Sequence, residues 1–157
     1  MTDKNPNKLV ERSAARLGSV QALYQMDLSG SDVGETLAQF SARAAGEDFE
    51  DGQCGEADYK HLRDVVDGVV REQKAIDPAL DAILDKAWPL HWLDSTVRAI
   101  LRAAAYELMF LARVPARVVI SEYVDVADAF FGAEEPRFVN GVLDRLARQQ
   151  RPQEFKA

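Results

Sequence analysis

Apolar residues recur at helical spacing along almost the whole of this 157-residue chain, and no two segments alternate as paired strands would. The first helix is predicted at 8–29, with Leu9, Val10, Leu17, Val20, Tyr24 and Leu28 on one arc of about 100° forming its buried stripe. Gly30 stops it. A weaker helical segment follows at 34–44, then an acidic, glycine-rich loop at 46–58. Leu62, Val65, Val66 and Val69 mark a helix over 58–74, and Asp77-Pro78 punctuates the chain as the start of a further one over 77–86. The connector Trp88-Pro-Leu-His-Trp92 is expected to give both indoles to the core. A long helix over 94–113, capped by Asp94 or Ser95, buries Val97, Ile100, Leu101, Ala104, Leu108 and Leu111. Pro115 opens the next helix, which Gly132 closes, and Pro136 opens the last at its first helical position. The chain is thus predicted to be all-α. It should form one domain over 8–150, with a flexible N-terminal tail at 1–7 and a flexible C-terminal tail at 151–157.

Composition narrows the function. The N-terminus is polar, and Arg102, Glu107 and Arg113 interrupt the most apolar stretch, so neither a signal sequence nor a transmembrane helix is expected. With one cysteine, Cys54, no intrachain disulfide can form, which suits a cytoplasmic protein. His61 and His91 stand far apart and outside any metal-ligand pattern, and no phosphate-cradling loop or nucleophile elbow occurs. Metal, cofactor and catalytic activity are therefore not expected. Glu107 and Glu122 lie in strongly apolar helices. A buried carboxylate can be a general acid or base, but an ion pair with Arg102 or Arg98 is the preferred expectation.

The net charge is −7, yet residues 1–21 carry +2 and residues 137–157 carry +3, leaving −12 between them. A local anion-binding face is compatible with that asymmetry. Two features carry it. Lys8, Arg12 and Arg16 recur every four residues along one flank of the first helix, as a row tracking a phosphate backbone would, or as a solvated helix edge would. In the last helix, Val139, Val142, Leu143 and Leu146 make a buried arc, and Phe138 falls nearly opposite, on the side of Arg145 and Arg148. A ring there suits stacking on an unpaired base. Tucking under a neighbouring helix is the alternative.

Four segments, in order, carry a resemblance. Ala15-Arg-Leu-Gly-Ser-Val-Gln-Ala-Leu-Tyr-Gln25, Arg98-Ala-Ile-Leu-Arg-Ala-Ala-Ala-Tyr-Glu-Leu108, Val114-Pro-Ala-Arg-Val-Val-Ile-Ser-Glu122 and Arg137-Phe-Val-Asn-Gly-Val-Leu-Asp144 resemble the signatures of the NusB family of transcription antitermination factors. The resemblance spans nearly the whole domain. It implies two small helical bundles packed roughly orthogonally, and no catalytic activity. It also implies binding of boxA RNA jointly with the ribosomal protein NusE, and entry into the elongating RNA polymerase complex that suppresses termination, chiefly in ribosomal RNA operons. Monomer and homodimer both occur in such a family.

By the same resemblance, Arg12 and Arg16 match an arginine-rich RNA-contacting N-terminus, although Ser13 and Ala14 stand where some members have further arginines. Arg137, Phe138 and Asn140 match the motif at the RNA face. Tyr24 matches an aromatic that meets NusE, and Val97 stands where an acidic residue of that interface is expected. Two other readings remain: a protein-only adaptor without RNA binding, and a detached N-terminal domain of an rRNA cytosine methyltransferase, for which a chain ending at Ala157 leaves no methyl-donor domain.

Overall fold

The computed structural model of the chain describes residues 6–42 and 56–156, with side chains described for 12–40 and 59–156. Most of the expected acidic loop and Cys54 lie outside the described residues, as do the first five residues and the Lys8 side chain.

Six α-helices occur among the described residues: α1 (Pro6–Ser29), α2 (Val33–Ala42), α3 (Glu56–Asp81), α4 (Ser95–Phe110), α5 (Ala116–Phe130) and α6 (Glu134–Gln150), with short 3-10 turns at Leu90–Trp92 and Pro152–Phe155. No strand occurs among the described residues. α1, α2 and α3 pack together, as do α4, α5 and α6, and α4 runs between the groups against α1, α3, α5 and α6. Its sequence suits that place, because Ala99, Ala103, Ala104 and Ala105 let neighbours approach closely while Ile100, Leu101 and Leu108 fill the core.

Several boundaries follow the local chemistry expected of them. Gly30 takes the left-handed conformation, φ +71, that ends α1. The Asp94 side chain accepts from the Thr96 and Val97 amides and caps α4. Two expectations fail at prolines. The helices predicted at 58–74 and 77–86 are one helix, α3, which continues through Pro78. Only its last turn lies beyond the proline, which has no amide to bond the carbonyl of Lys74. α6 begins at Glu134, which puts Pro136 at the third helical position. That is still within the first turn, where amides have no intrahelical acceptor.

The buried side of α1 is only partly the expected one: Val20 is buried and Leu17 packs against the core, while the Leu9 and Val10 side chains lie outside the described residues. Ala15, Arg16, Gly18, Ser19, Val20, Ala22 and Leu23 are buried, whereas Leu28 and Tyr24 are exposed. Close packing against α3 selects small residues: a Cβ at Gly18 would stand 2.7 Å from Leu62 Cδ1. Tyr24 and Leu28 are left on an open flank.

The connector reverses expectation too. Trp88 and Trp92 are 59% and 66% exposed, and Leu90 supplies the buried contact instead. The Leu90 amide donates to Asp81 Oδ1, which turns the short helix inward at the leucine. The C-terminal segment is not a free tail. Arg151 is 3% exposed and donates to the carbonyls of Glu107, Leu108, Leu111 and Val114. Its guanidinium thereby closes the C-terminal end of α4, where carbonyls lack intrahelical donors and positive charge is favoured. Glu154 pairs with Arg151 at 3.1 Å and accepts from the Ala116 amide at the start of α5. That amide and the Arg151 guanidinium hold the Glu154 carboxyl below its ordinary value against a small opposing effect of burial.

Candidate nucleic-acid interface

α6 buries Val139, Val142, Leu143, Leu146 and Ala147 against α4 and α5. That leaves an exposed arc running from Asn140 through Arg137, Gly141 and Arg145 to Phe138. Arg137 and Arg145 form no ion pair among the described residues. Arg148 pairs with Asp144 at 2.9 Å and lies over the Phe155 ring, 4.7 Å from its centroid.

Phe138 is 40% exposed, so it does not tuck wholly under a neighbouring helix. Part of its ring lines a groove of about 380 Å³ together with Leu84, Trp88, Leu93 and Val97. Asp85, Asp94, Glu134 and Glu135 stand around that groove. The ring therefore sits on a border, with guanidinium groups along one side and an apolar, acid-rimmed slot on the other. Asn140 lies two positions on, about 200° round the helix, and lines a different groove with Arg117, Ser121, Asp125 and Phe155. Phe138 and Asn140 are thus at opposite ends of one exposed arc rather than side by side.

The expected basic row on α1 is divided. Arg12 is exposed. Arg16 is not available to a phosphate backbone: it is 3% exposed and donates to both carboxylate oxygens of Glu107 at 3.0 Å, and to Glu122 at 3.0 Å. Its place on the small-residue side of α1 carries it into the core, where those carboxylates satisfy it. Glu107 thus has its ion pair, but with Arg16. Arg102 is held by Asp77, and Arg98 by Asp27 and by carbonyls of the connector. The Tyr123 hydroxyl also donates to Glu107, and His61 Nε2 stands 3.4 Å from the same oxygen. Burial alone would raise the Glu107 carboxyl; the approach of His61 and Arg16 outweighs it and holds the group at about 2. Burial and the neighbouring Glu107 charge push the Tyr123 hydroxyl well above its ordinary value. Every member of this cluster is buried or nearly so, and it joins α1, α3, α4 and α5 rather than facing a ligand.

Tyr24 is 39% exposed and lies on the open flank of α1. It lines a cavity of about 430 Å³ with Val20, Gln21, Gln25, Phe40, Thr96 and the exposed Phe130. Val97 adjoins Thr96 but is 5% exposed and faces the Phe138 groove. The surface therefore offers two apolar places, one at Tyr24 and one at Phe138, at the N-terminal end of α4. Among the described residues no helix is long and apolar enough to cross a membrane.

Comparison with known proteins bears on all of this. The NusB family model matches residues 13–148. Transcription antitermination protein NusB of Rhodopseudomonas palustris (strain TIE-1) is 50% identical over 155 residues, 99% of this chain and 89% of the relative. Its counterpart in Bradyrhizobium diazoefficiens is 48% identical over 155 residues, 99% of this chain and 92% of the relative. Among solved structures, T. maritima NusB matches with a TM-score of 0.77 at 26% identity, covering 93% of this chain and 97% of that one. A chain from the crystal structure of antitermination factors NusB and NusE in complex with dsRNA matches with a TM-score of 0.75 at 26% identity, covering 88% and 97%.

Proposed function

The chain belongs to the NusB family of transcription antitermination factors, and we propose that it binds boxA-type RNA together with the ribosomal protein NusE. In this reading it enters the elongating RNA polymerase complex and suppresses termination, chiefly in ribosomal RNA operons. The observation that carries the reading is the likeness, over 88% of this chain, to a protein solved with NusE and RNA. The surface supports it. Phe138 offers an exposed ring near Arg137 and Arg145, which are unpaired among the described residues, a combination suited to stacking a base and holding its phosphates. Arg12, with Lys8 one turn earlier in α1, adds positive charge. Arg16 acts through the fold and not at the RNA. Asn140, at the far end of the α6 arc, contacts the strand beyond the stacked base. The exposed flank of α1 around Tyr24 receives NusE, and with Val97 apolar and buried that contact relies on packing around Tyr24 and Phe130.

A crossed pair of variants tests the assignment of the two surfaces. Phe138→Ala is expected to weaken RNA binding by about 1–3 kcal/mol while leaving NusE binding unchanged in calorimetry. Tyr24→Asp is expected to weaken NusE binding with RNA binding by the chain alone retained. Equal losses in both assays for either variant would defeat the separation. A protein-only adaptor would bind no RNA at any salt concentration.

A further inference from the structure

Glycine inside a helix lowers stability relative to alanine, so each one asks for a reason. Gly18 and Gly68 have theirs in packing. A Cβ at Gly68 would stand 2.1 Å from the Tyr106 ring, and one at Gly18 would strike Leu62. Gly141, in the middle of α6, has no such reason. It is exposed, its φ is not positive, and a Cβ built there would meet nothing within 4 Å. The fold gains nothing by leaving this position bare.

Its surroundings indicate what does. Residues three and four positions away share its face, and these are Arg137, Phe138, Asp144 and Arg145. Asp144 is neutralised by Arg148 at 2.9 Å. Arg137 and Arg145 are exposed and unpaired among the described residues, and Phe138 is 40% exposed. The bare stretch of helix backbone is therefore bordered by two free guanidinium groups and a ring. A protein occupant would call for an apolar floor, and the apolar groove lies on the other side of Phe138, rimmed by carboxylates that repel phosphate. A polyanionic strand carrying unpaired bases is what this spot favours.

We propose that Gly141 is the point at which an RNA strand lies directly on the backbone of α6. The missing side chain admits the sugar-phosphate chain to the helix surface, Arg137 and Arg145 flank it, and Phe138 takes the adjoining base. This deepens the RNA-binding reading above and rests on it.

Gly141→Ala gives opposite signs for its two effects. Space for the methyl group is open, so thermal unfolding followed by circular dichroism should shift upward by about 2–4 °C. Binding of a fluorescein-labelled single-stranded boxA-type RNA, followed by anisotropy, should weaken about tenfold, as when one methyl group intrudes on a close contact. Gln149→Ala, on an exposed part of the same helix, should leave RNA affinity unchanged. A Gly141→Ala protein that is more stable and binds RNA as tightly as the unsubstituted chain overturns the role of Gly141 and leaves RNA binding standing. A fall in melting temperature overturns it as well, because the position would then have a structural reason to be bare. An unsubstituted chain that binds no RNA, with or without NusE, overturns both.

Discussion

Replacing Glu107 with alanine will cost the fold about 3–5 kcal/mol and lower its melting temperature by roughly 6–20 °C. The carboxylate is fully buried and receives Arg16 in a two-point contact, with the Tyr123 hydroxyl on one of the same oxygens. Its removal leaves a guanidinium that is 3% exposed with only Glu122, itself 22% exposed, to balance it. Exchanging both members for apolar residues, as Arg16→Met with Glu107→Leu, should lose less than the sum of the single losses, because no fully buried charge is left unpaired; what remains is the partly exposed Glu122 without its guanidinium and the Tyr123 hydroxyl without its acceptor. Chemical denaturation of the four proteins measures this directly, and a single-variant loss below about 1 kcal/mol would contradict the ion-pair account. Acid adds a second signature. The carboxyl is held at about 2 in the fold against an ordinary 4.5. Its contribution is therefore fully present above about 4.5 and is lost as the pH falls towards 2. Glu107→Gln should flatten the stability profile across that window.

Arg151→Met will cost roughly 3 kcal/mol, and truncation before residue 151 will cost at least as much. The guanidinium serves four carbonyls around the end of α4 while Glu154 holds both it and the first amide of α5. Methionine matches the length of the side chain but donates nothing, so buried acceptors lose their partners. Thermal unfolding of both variants checks this. A truncated chain as stable as the complete one would mean that residues 151–157 are the dispensable tail expected from sequence.

The contrast between these predictions and the sequence reading shows where sequence information is dense. Helices whose buried face is built of large apolar residues were legible. Val97, Ile100, Leu101, Ala104 and Leu108 on α4 with Leu111 just beyond it, and Val139, Val142, Leu143 and Leu146 on α6, are all buried as their spacing requires. Caps with a local mechanism, Asp94 and Gly30, were equally legible. α1 was misread in part because, besides Val20 and Leu23, its packed side consists of Ala15, Gly18, Ser19 and Ala22, whose value lies in closeness to a neighbour rather than in hydrophobicity. The burial of Arg16 and Arg151 depends on partners 91 and about 40 residues away, and no spacing rule reaches that far. The two tryptophans were assigned to the core by residue type, although the connector is held with Leu90 inward by the Asp81 carboxylate on the Leu90 amide and by Arg98 on the carbonyls of Leu90, His91 and Leu93.

Legibility of the candidate interface was similarly uneven. The helical wheel was read as placing Phe138 nearly opposite the buried arc of α6, whereas the ring lies at the margin of that arc, 40% exposed and lining an apolar groove. The acid-rimmed groove along one side of its ring requires the α3–α4 connector and could not be seen from α6 alone. The four-residue spacing of Lys8, Arg12 and Arg16 suggested one functional row, but among the described side chains it passes from the exposed Arg12 to the buried Arg16. α1 and α6 make no extensive contact, and α4 and α5 lie between them. In the proposed RNA-binding reading, charge near Arg12 therefore supplements the α6 face from a distance.

Anisotropy of a labelled boxA-type RNA, with and without NusE across a salt series, tests the central claim most directly. Binding should tighten when NusE is present. Its logarithm should fall linearly with the logarithm of salt concentration, with a slope that reports the phosphates neutralised. Absence of RNA binding in both conditions, or binding indifferent to salt, would contradict the antitermination reading of this surface.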